Sequence, residues 1–246
     1  MKVLVIDVGG THVKILATGQ KLERRMDSSP TLTARQMVSG VRALAKGWKY
    51  DVVSIGYPGP VVQNRPVNEP YNLGKGWVDL DYDAALGCPV KMVNDAAMQA
   101  LGSYDGGKML FLGLGTGLGS TLIVDGVLVP MELAHLPYRK ATFEDYVGKR
   151  GLDRYGEKKW RRYVEDVVER LVAAFEPDDV VLGGGNAANL AELPPRCRLG
   201  SNANAFAGGF RLWSSASKRR AVRQKAKHSS APRKPGPHRI TRTHTG

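Results

Sequence analysis

The sequence predicts a mixed α/β fold built by internal duplication. Short apolar runs rich in β-branched residues alternate with stretches of helical spacing. In addition, "VLVIDVGGTHVKILATG" and "MLFLGLGTGLGSTLIVDG" share one pattern: apolar strand, glycine turn, small hydroxyl residue, apolar strand. The two glycine turns lie roughly a hundred residues apart, the size of a small domain, so each half would bring its own loop to a common cleft.

The elements follow in order. "KVLVIDV" and "VKILAT" flank a Gly-Gly turn and read as a hairpin. "TARQMVSGVRALAKG" has the apolar spacing of a helix, and "DVVSIGYPGP" is a buried strand running into a loop. "PVKMVND" is a further strand, followed by the short helix "AAMQALGSY". After the second glycine hairpin, "WRRYVEDVVERLVAAF" repeats apolar residues at Val164, Val167, Val168, Leu171 and Val172, an amphipathic helix. Strand "DDVVLGGG" then presents a third glycine turn.

The 246 residues, 42% of them hydrophobic, suffice for a substantial core. No run approaches the eighteen or so apolar residues of a membrane helix, and "MKVLVIDVGG" reads as a first strand rather than a signal peptide, so no membrane partner and a cytoplasmic location are expected. Cys88 and Cys197 lie far apart without metal-ligand spacing, which indicates neither a disulfide framework nor a zinc module. The net charge of +13 is concentrated at one end. From Ala216 onward there are ten Lys or Arg and no acid, leaving 26 basic against 23 acidic residues, a balance of +3, in the body. Residues 216–246, poor in large apolar side chains, are expected to form a disordered basic tail able to contact a polyanion.

Backbone amides can cradle phosphate oxygens where no Cβ holds the ligand away, so paired glycines at a turn suit a polyphosphate chain; they suit tight hairpin geometry equally. The P-loop pattern is absent because no lysine follows, and GxGxxG is broken by Leu118. The carboxylates tip the balance. Asp7 ends the first strand just before Gly9, Gly10 and Thr11, where it can hold a hydrated magnesium ion against phosphates. Asp95 ends another strand just before a helix, where a carboxylate serves either as a cap or as the base that deprotonates a hydroxyl nucleophile.

The ordered set "IDVGGTHVKI", "GYPGPV", "VNDAAMQALG", "FLGLGTGLGS", "MELAH" and "VLGGGN" resembles ROK-family sugar kinases, and most of all their polyphosphate glucokinase branch. The resemblance covers residues 2 to about 213. It implies the actin-like ATPase (ribonuclease H-like) fold, two duplicated lobes around a nucleotide and sugar cleft, with an N-terminal lobe over 1–104 and a C-terminal lobe over 105–215.

The resemblance also implies roles. Asp7, Gly9, Gly10 and Thr11 match the first phosphate loop, and Gly115, Thr116 and Gly117 the second. Gly183, Gly184 and Gly185 match the loop on the nucleoside side. Asp95 aligns with the catalytic base, Asn94 with a sugar-hydroxyl ligand, Glu132 and His135 with the ExGH sugar contacts, and Glu144 in "TFEDYVG" with a further sugar ligand; Asn72 in "YNLGKGW" is another candidate. Sugar hydroxyls each donate and accept, so carboxylates, amides and imidazole pair them specifically.

Two departures matter. Residues 136–143, "LPYRKATF", lack the cysteine cluster with which many ROK proteins bind zinc, so no zinc is expected. Ala134 stands where ExGH has glycine, and the region after Gly185 is short, which would favour a donor without a base.

The expected protein is therefore a glucokinase acting on glucose or a related hexose at its 6-hydroxyl. Its donor would be ATP or inorganic polyphosphate, with Mg2+ near Asp7 and Asp95 as general base; Lys158, Lys159, Arg161 and Arg162 could extend a cationic track. The family's habit implies a homodimer. A ROK regulator would need a helix-turn-helix before the first strand, where this sequence offers no room. A non-catalytic sugar-binding relative, or a polyanion- or nucleic-acid-associated protein acting through the basic tail, stays open as the alternative.

Overall fold

Alternating apolar residues in the first segment pair as β1 (Val3–Val8) and β2 (His12–Ala17), antiparallel, with β3 (Arg24–Asp27) added outside β2. The computed structural model describes residues 1–201 and 203–214; the basic tail predicted from residue 216 lies outside them. Helix α1 (Ala34–Leu44) starts at a capping box, in which Thr33 and Gln36 satisfy each other's backbone N–H groups. The chain then adds β4 (Val52–Tyr57) parallel to β1, the small hairpin β5 (Val61–Val62) and β6 (Arg65–Pro66), helix α2 (Tyr82–Leu86), and β7 (Val90–Asn94) parallel to β4. Helix α3 (Asp95–Ser103) follows without a loop.

The second half repeats the scheme. β8 (Lys108–Leu114), β9 (Leu118–Val124) and β10 (Val127–Met131) form an antiparallel meander, followed by the short pair β11 (Pro137–Tyr138) and β12 (Ala141–Thr142). Helices α4 (Phe143–Val147) and α5 (Lys149–Phe175) come next, then β13 (Asp179–Gly183) parallel to β8, a 3-10 turn at Gly185–Asn189, and β14 (Cys197–Leu199). The sheet orders β3-β2-β1-β4-β7 and β10-β9-β8-β13-β14 correspond strand for strand. This is the duplicated, actin-like ATPase fold.

Strand alternation assigns each face of the first sheet. Leu4, Ile6, Val13, Ile15, Val53 and Ile55 pack with α1 and Trp77, whereas Val3, Val5 and Val52 on the other face meet Met98 of α3 and Phe206. Phe206 belongs to a helical segment, 204–214, that the sequence pattern did not reveal. Its glycines disfavour a helix in isolation, yet they admit close packing: a Cβ on Gly208 would collide with the Met98 carbonyl, and one on Gly209 with Val5. Ser54 donates to the Gly209 carbonyl at 2.6 Å and accepts from Trp213 Nε1 at 3.0 Å, tying this helix to β4.

Helix α3 touches both sheets. Its Ala96 and Ala100 pack with Met109, Phe111, Ile123 and Val181 of the second sheet, while Met98 faces the first. Amphipathic spacing placed the long helix of the second half at 160–175; it runs from Lys149, with a break at Gly156 (φ 70°, ψ 161°), a conformation only glycine adopts without strain. A Cβ on Gly119 of β9 would stand 2.7 Å from the Ala96 Cβ. Gly119→Val is therefore expected to push α3 off the second sheet and destabilise the protein by about 1–3 kcal/mol, read as a lowered midpoint in thermal denaturation.

Candidate active site

Parallel strands β1, β4 and β7 all end at one edge of the first sheet, where open α/β sheets place ligands. Asp7 on β1 lies level with Gly56 on β4 and, through it, with Val93 on β7, two residues before Asp95. Gly56 keeps this edge narrow, since a Cβ there would meet the end of Met98 and lie 3.6 Å from Asp7 Oδ1. Asp95 is the first residue of α3, and its Oδ1 accepts from the Ala96 N–H at 2.8 Å. Asn94 caps the same helix end: Oδ1 accepts from Ala96 and Ala97 N–H at 2.9 and 3.3 Å, and Nδ2 donates to the Gly59 carbonyl at 3.1 Å. Its side chain also hydrogen-bonds the Asp95 carboxylate, which works against the upward shift of that group.

The two carboxylates repel each other. Burial pushes Asp95 up to about 7, opposed by the Ala96 hydrogen bond and reinforced by the charge of Asp7. Asp7 rises to about 6, again by burial first, with Lys14 opposing and Glu23 adding slightly. Lys14 is the direct cross-strand partner of Asp7 on β2 and was not singled out in the sequence; a lone lysine at an outward position of an alternating strand reads as ordinary solvent-side charge until its cross-strand partner is known.

The first glycine turn sits over Asp7. Ser28, also unrecognised in the sequence, holds it from the side: its hydroxyl donates to the Gly9 carbonyl at 2.8 Å and its N–H to the Thr11 carbonyl at 2.8 Å. Asn72 lies against this turn, its Cβ 3.9 Å from where a Gly10 Cβ would be. The second turn, between β8 and β9, is closed by Gly115 N–H donating to the Gly117 carbonyl at 3.1 Å.

The glycines expected to line a phosphate cradle divide their labour. Gly115 borders open space, whereas a Cβ on Gly117 would occupy the position of the Glu144 carboxylate. Gly113 and Gly119 face each other across the β8–β9 pair. In the third loop, Gly184 (φ 82°) packs against the Leu114 backbone, 2.5 Å from its carbonyl oxygen were a Cβ present, and Gly185 borders open space.

Of the residues matched to sugar contacts, His135 and Glu144 are brought together, with Nδ1 3.8 Å from Oε1. Their loop is held by the Glu144 N–H donating to the Ala134 carbonyl at 3.1 Å and the Leu133 N–H to Ser120 Oγ at 3.2 Å. Ala134 is buried in the second core with an ordinary negative φ, so the methyl in place of glycine is accommodated by packing. Glu132 is exposed, just past the end of β10.

Asp7, a recessed carboxylate held upward in pKa by burial with Lys14 opposing, is the residue at the first turn that would hold a magnesium ion. Among the described residues no cluster of three or more His, Cys, Asp or Glu could hold a metal ion. Among those residues no helix is long and apolar enough to cross a membrane.

The sequence model of the ROK family matches residues 3–130, more than half of the chain. The chain belongs to the ROK family. A polyphosphate glucokinase of Mycobacterium tuberculosis is 29% identical over 205 residues, covering 73% of this chain and 76% of that protein. Among solved structures, the inorganic polyphosphate/ATP-glucomannokinase from Arthrobacter sp. strain KM superimposes with a TM-score of 0.71 at 24% identity, covering 85% of this chain and 96% of its own. A ROK family glucokinase from Streptomyces griseus, solved with glucose and AMPPNP, gives a TM-score of 0.71 at 17% identity, over 86% and 99% of the respective chains.

Because both carboxylates bind protons more tightly folded than unfolded, the folded chain takes up protons between about pH 4 and 7, and stability falls as pH rises through that window. An asparagine at position 95 keeps the Ala96 hydrogen bond without the buried charge. Asp95→Asn is expected to raise Tm by about 3 °C or more at pH 8 and to leave it unchanged at pH 4, measured by calorimetry.

Proposed function

We propose that this ROK protein is a sugar kinase that phosphorylates glucose, or a closely related hexose, at the 6-hydroxyl, with inorganic polyphosphate or ATP as donor. The observation that carries the reading is the pairing of two recessed carboxylates at strand ends, Asp7 beneath one glycine turn and Asp95 at the N-terminus of α3, with a second glycine turn on the adjoining sheet. The names of the M. tuberculosis and Arthrobacter proteins support the substrate classes.

In this reading Asp95 is the general base. Its pKa near 7 makes it a stronger proton acceptor than an ordinary carboxylate while leaving much of it ionised at neutral pH, the compromise general-base catalysis favours. It accepts the proton of the sugar hydroxyl as the oxygen attacks the terminal phosphorus; the bond from that phosphorus to the bridging oxygen breaks, and the shortened donor leaves with the electron pair. Asp7 would hold Mg2+ through water, and the ion supplies neutralisation of donor charge when bound. The turns at 9–11 and 115–117 orient the donor in line. His135 and Glu144, together with Asn94, fix the sugar hydroxyls, and Glu132 and Asn72 border that pocket.

The test is glucose 6-phosphate formation with magnesium, glucose and either long-chain polyphosphate or ATP. Product with at least one donor is expected, with Asp95→Asn reducing kcat by about 100-fold or more while the fold persists. Product from neither donor in a folded protein would refute the proposal. Since Asp95 must be ionised to act, kcat/KM should rise with pH through about 7 and level off above it, and a profile flat from pH 5 to 8 would remove Asp95 from the role of base.

A further inference from the structure

We propose that Asn186, just past the third glycine turn, is a positioning residue for the second phosphate loop, aiming a backbone N–H of that loop at the donor. The inference rests on the sugar-kinase reading above. Asn186 Nδ2 donates to the Gly115 carbonyl at 2.8 Å, across 71 residues of sequence. The same carbonyl accepts from the Lys149 N–H at 2.9 Å, where α5 begins. Gly115 O is thus held by two donors, both from the body of the second half of the molecule.

A trans peptide directs its C=O and the following N–H in opposite directions. Pinning the Gly115 carbonyl toward Asn186 and Lys149 therefore turns the Thr116 N–H away from them, and a bare Cα at Gly115 leaves open space beside it. Lys149 N–H also lies 3.2 Å from the Thr116 carbonyl, which by the same rule turns the Gly117 N–H outward. Two consecutive amides presented this way form an anion-binding concavity.

The third glycine turn acquires a second purpose. Gly184, with its positive φ and its close approach to the Leu114 backbone, draws the turn at Gly185–Asn189 near enough for Asn186 to reach Gly115. The rim assigned to the nucleoside side thereby also governs the phosphate loop.

Titration calorimetry with magnesium tripolyphosphate and, separately, with glucose tests this on the full chain. Asn186→Ala should weaken tripolyphosphate binding about fivefold to tenfold, the worth of one neutral hydrogen bond, and leave glucose affinity unchanged. In the amide NMR spectrum, the Thr116 resonance should move on tripolyphosphate addition in the parent protein and move less in the variant. Unchanged tripolyphosphate affinity in the variant, or equal losses for both ligands, would overturn the role of Asn186. A parent protein that binds glucose but no tripolyphosphate would instead overturn the phosphate-loop reading on which it rests.

Discussion

Everything else in the molecule is arranged around the burial of one nine-residue helix, α3, between two sheets. Its Met98 packs with Val5 and Val52 of the first sheet, its Ala96 and Ala100 with Phe111 and Ile123 of the second. A helix in contact on both sides needs small residues where backbones approach, and they are present on each side: Gly56 beside Met98, Gly119 beside Ala96, and Gly208 against the turn of Met98 and Gly102. Arg211 closes the far end by donating to the Leu101, Gly102 and Tyr104 carbonyls, the groups a helix C-terminus leaves without partners.

That packing explains the chemistry of the helix's first residue. A carboxylate at a helix N-terminus is ordinarily favoured by the dipole, yet Asp95 is raised because burial costs its charged form hydration and the charge of Asp7 adds to that effect. The stability sacrificed in holding two like charges together is supplied by the apolar contacts further along α3. On the proposed function, a divalent cation and a phosphorylated donor would be drawn to this end of the sheets by opposite features, the carboxylates and the amides of the glycine turns.

The glycine turns are held at their carbonyls rather than left as flexible loops. Ser28 secures the first, Lys149 and Asn186 the second, so the N–H groups on the other side of each peptide are oriented before any ligand arrives. Preorganised donors of this kind stabilise charge without reorganising during the reaction.

Much of this was legible in the sequence. The duplicated hairpins, the alternation in β1 and β4 and the 3.6-residue period of the second long helix are local patterns, so periodicity alone assigned them. The strand-end position of Asp7 followed from those patterns, whereas Asp95, read as the end of its strand, is the first residue of α3. The sequence could not place Lys14, Ser28 or Asn186, whose roles depend on partners 7 to 71 residues away, nor the helix over 204–214, whose glycines argue against a helix until α3 and β1 are beside it. It also could not separate glycines that admit a neighbour, such as Gly117 and Gly119, from Gly115, which faces open space. Sequence by itself determined what repeats along the chain. Tertiary structure decided which groups lose water and which carbonyls are held, because desolvation and long-range hydrogen bonds exist only once distant segments meet.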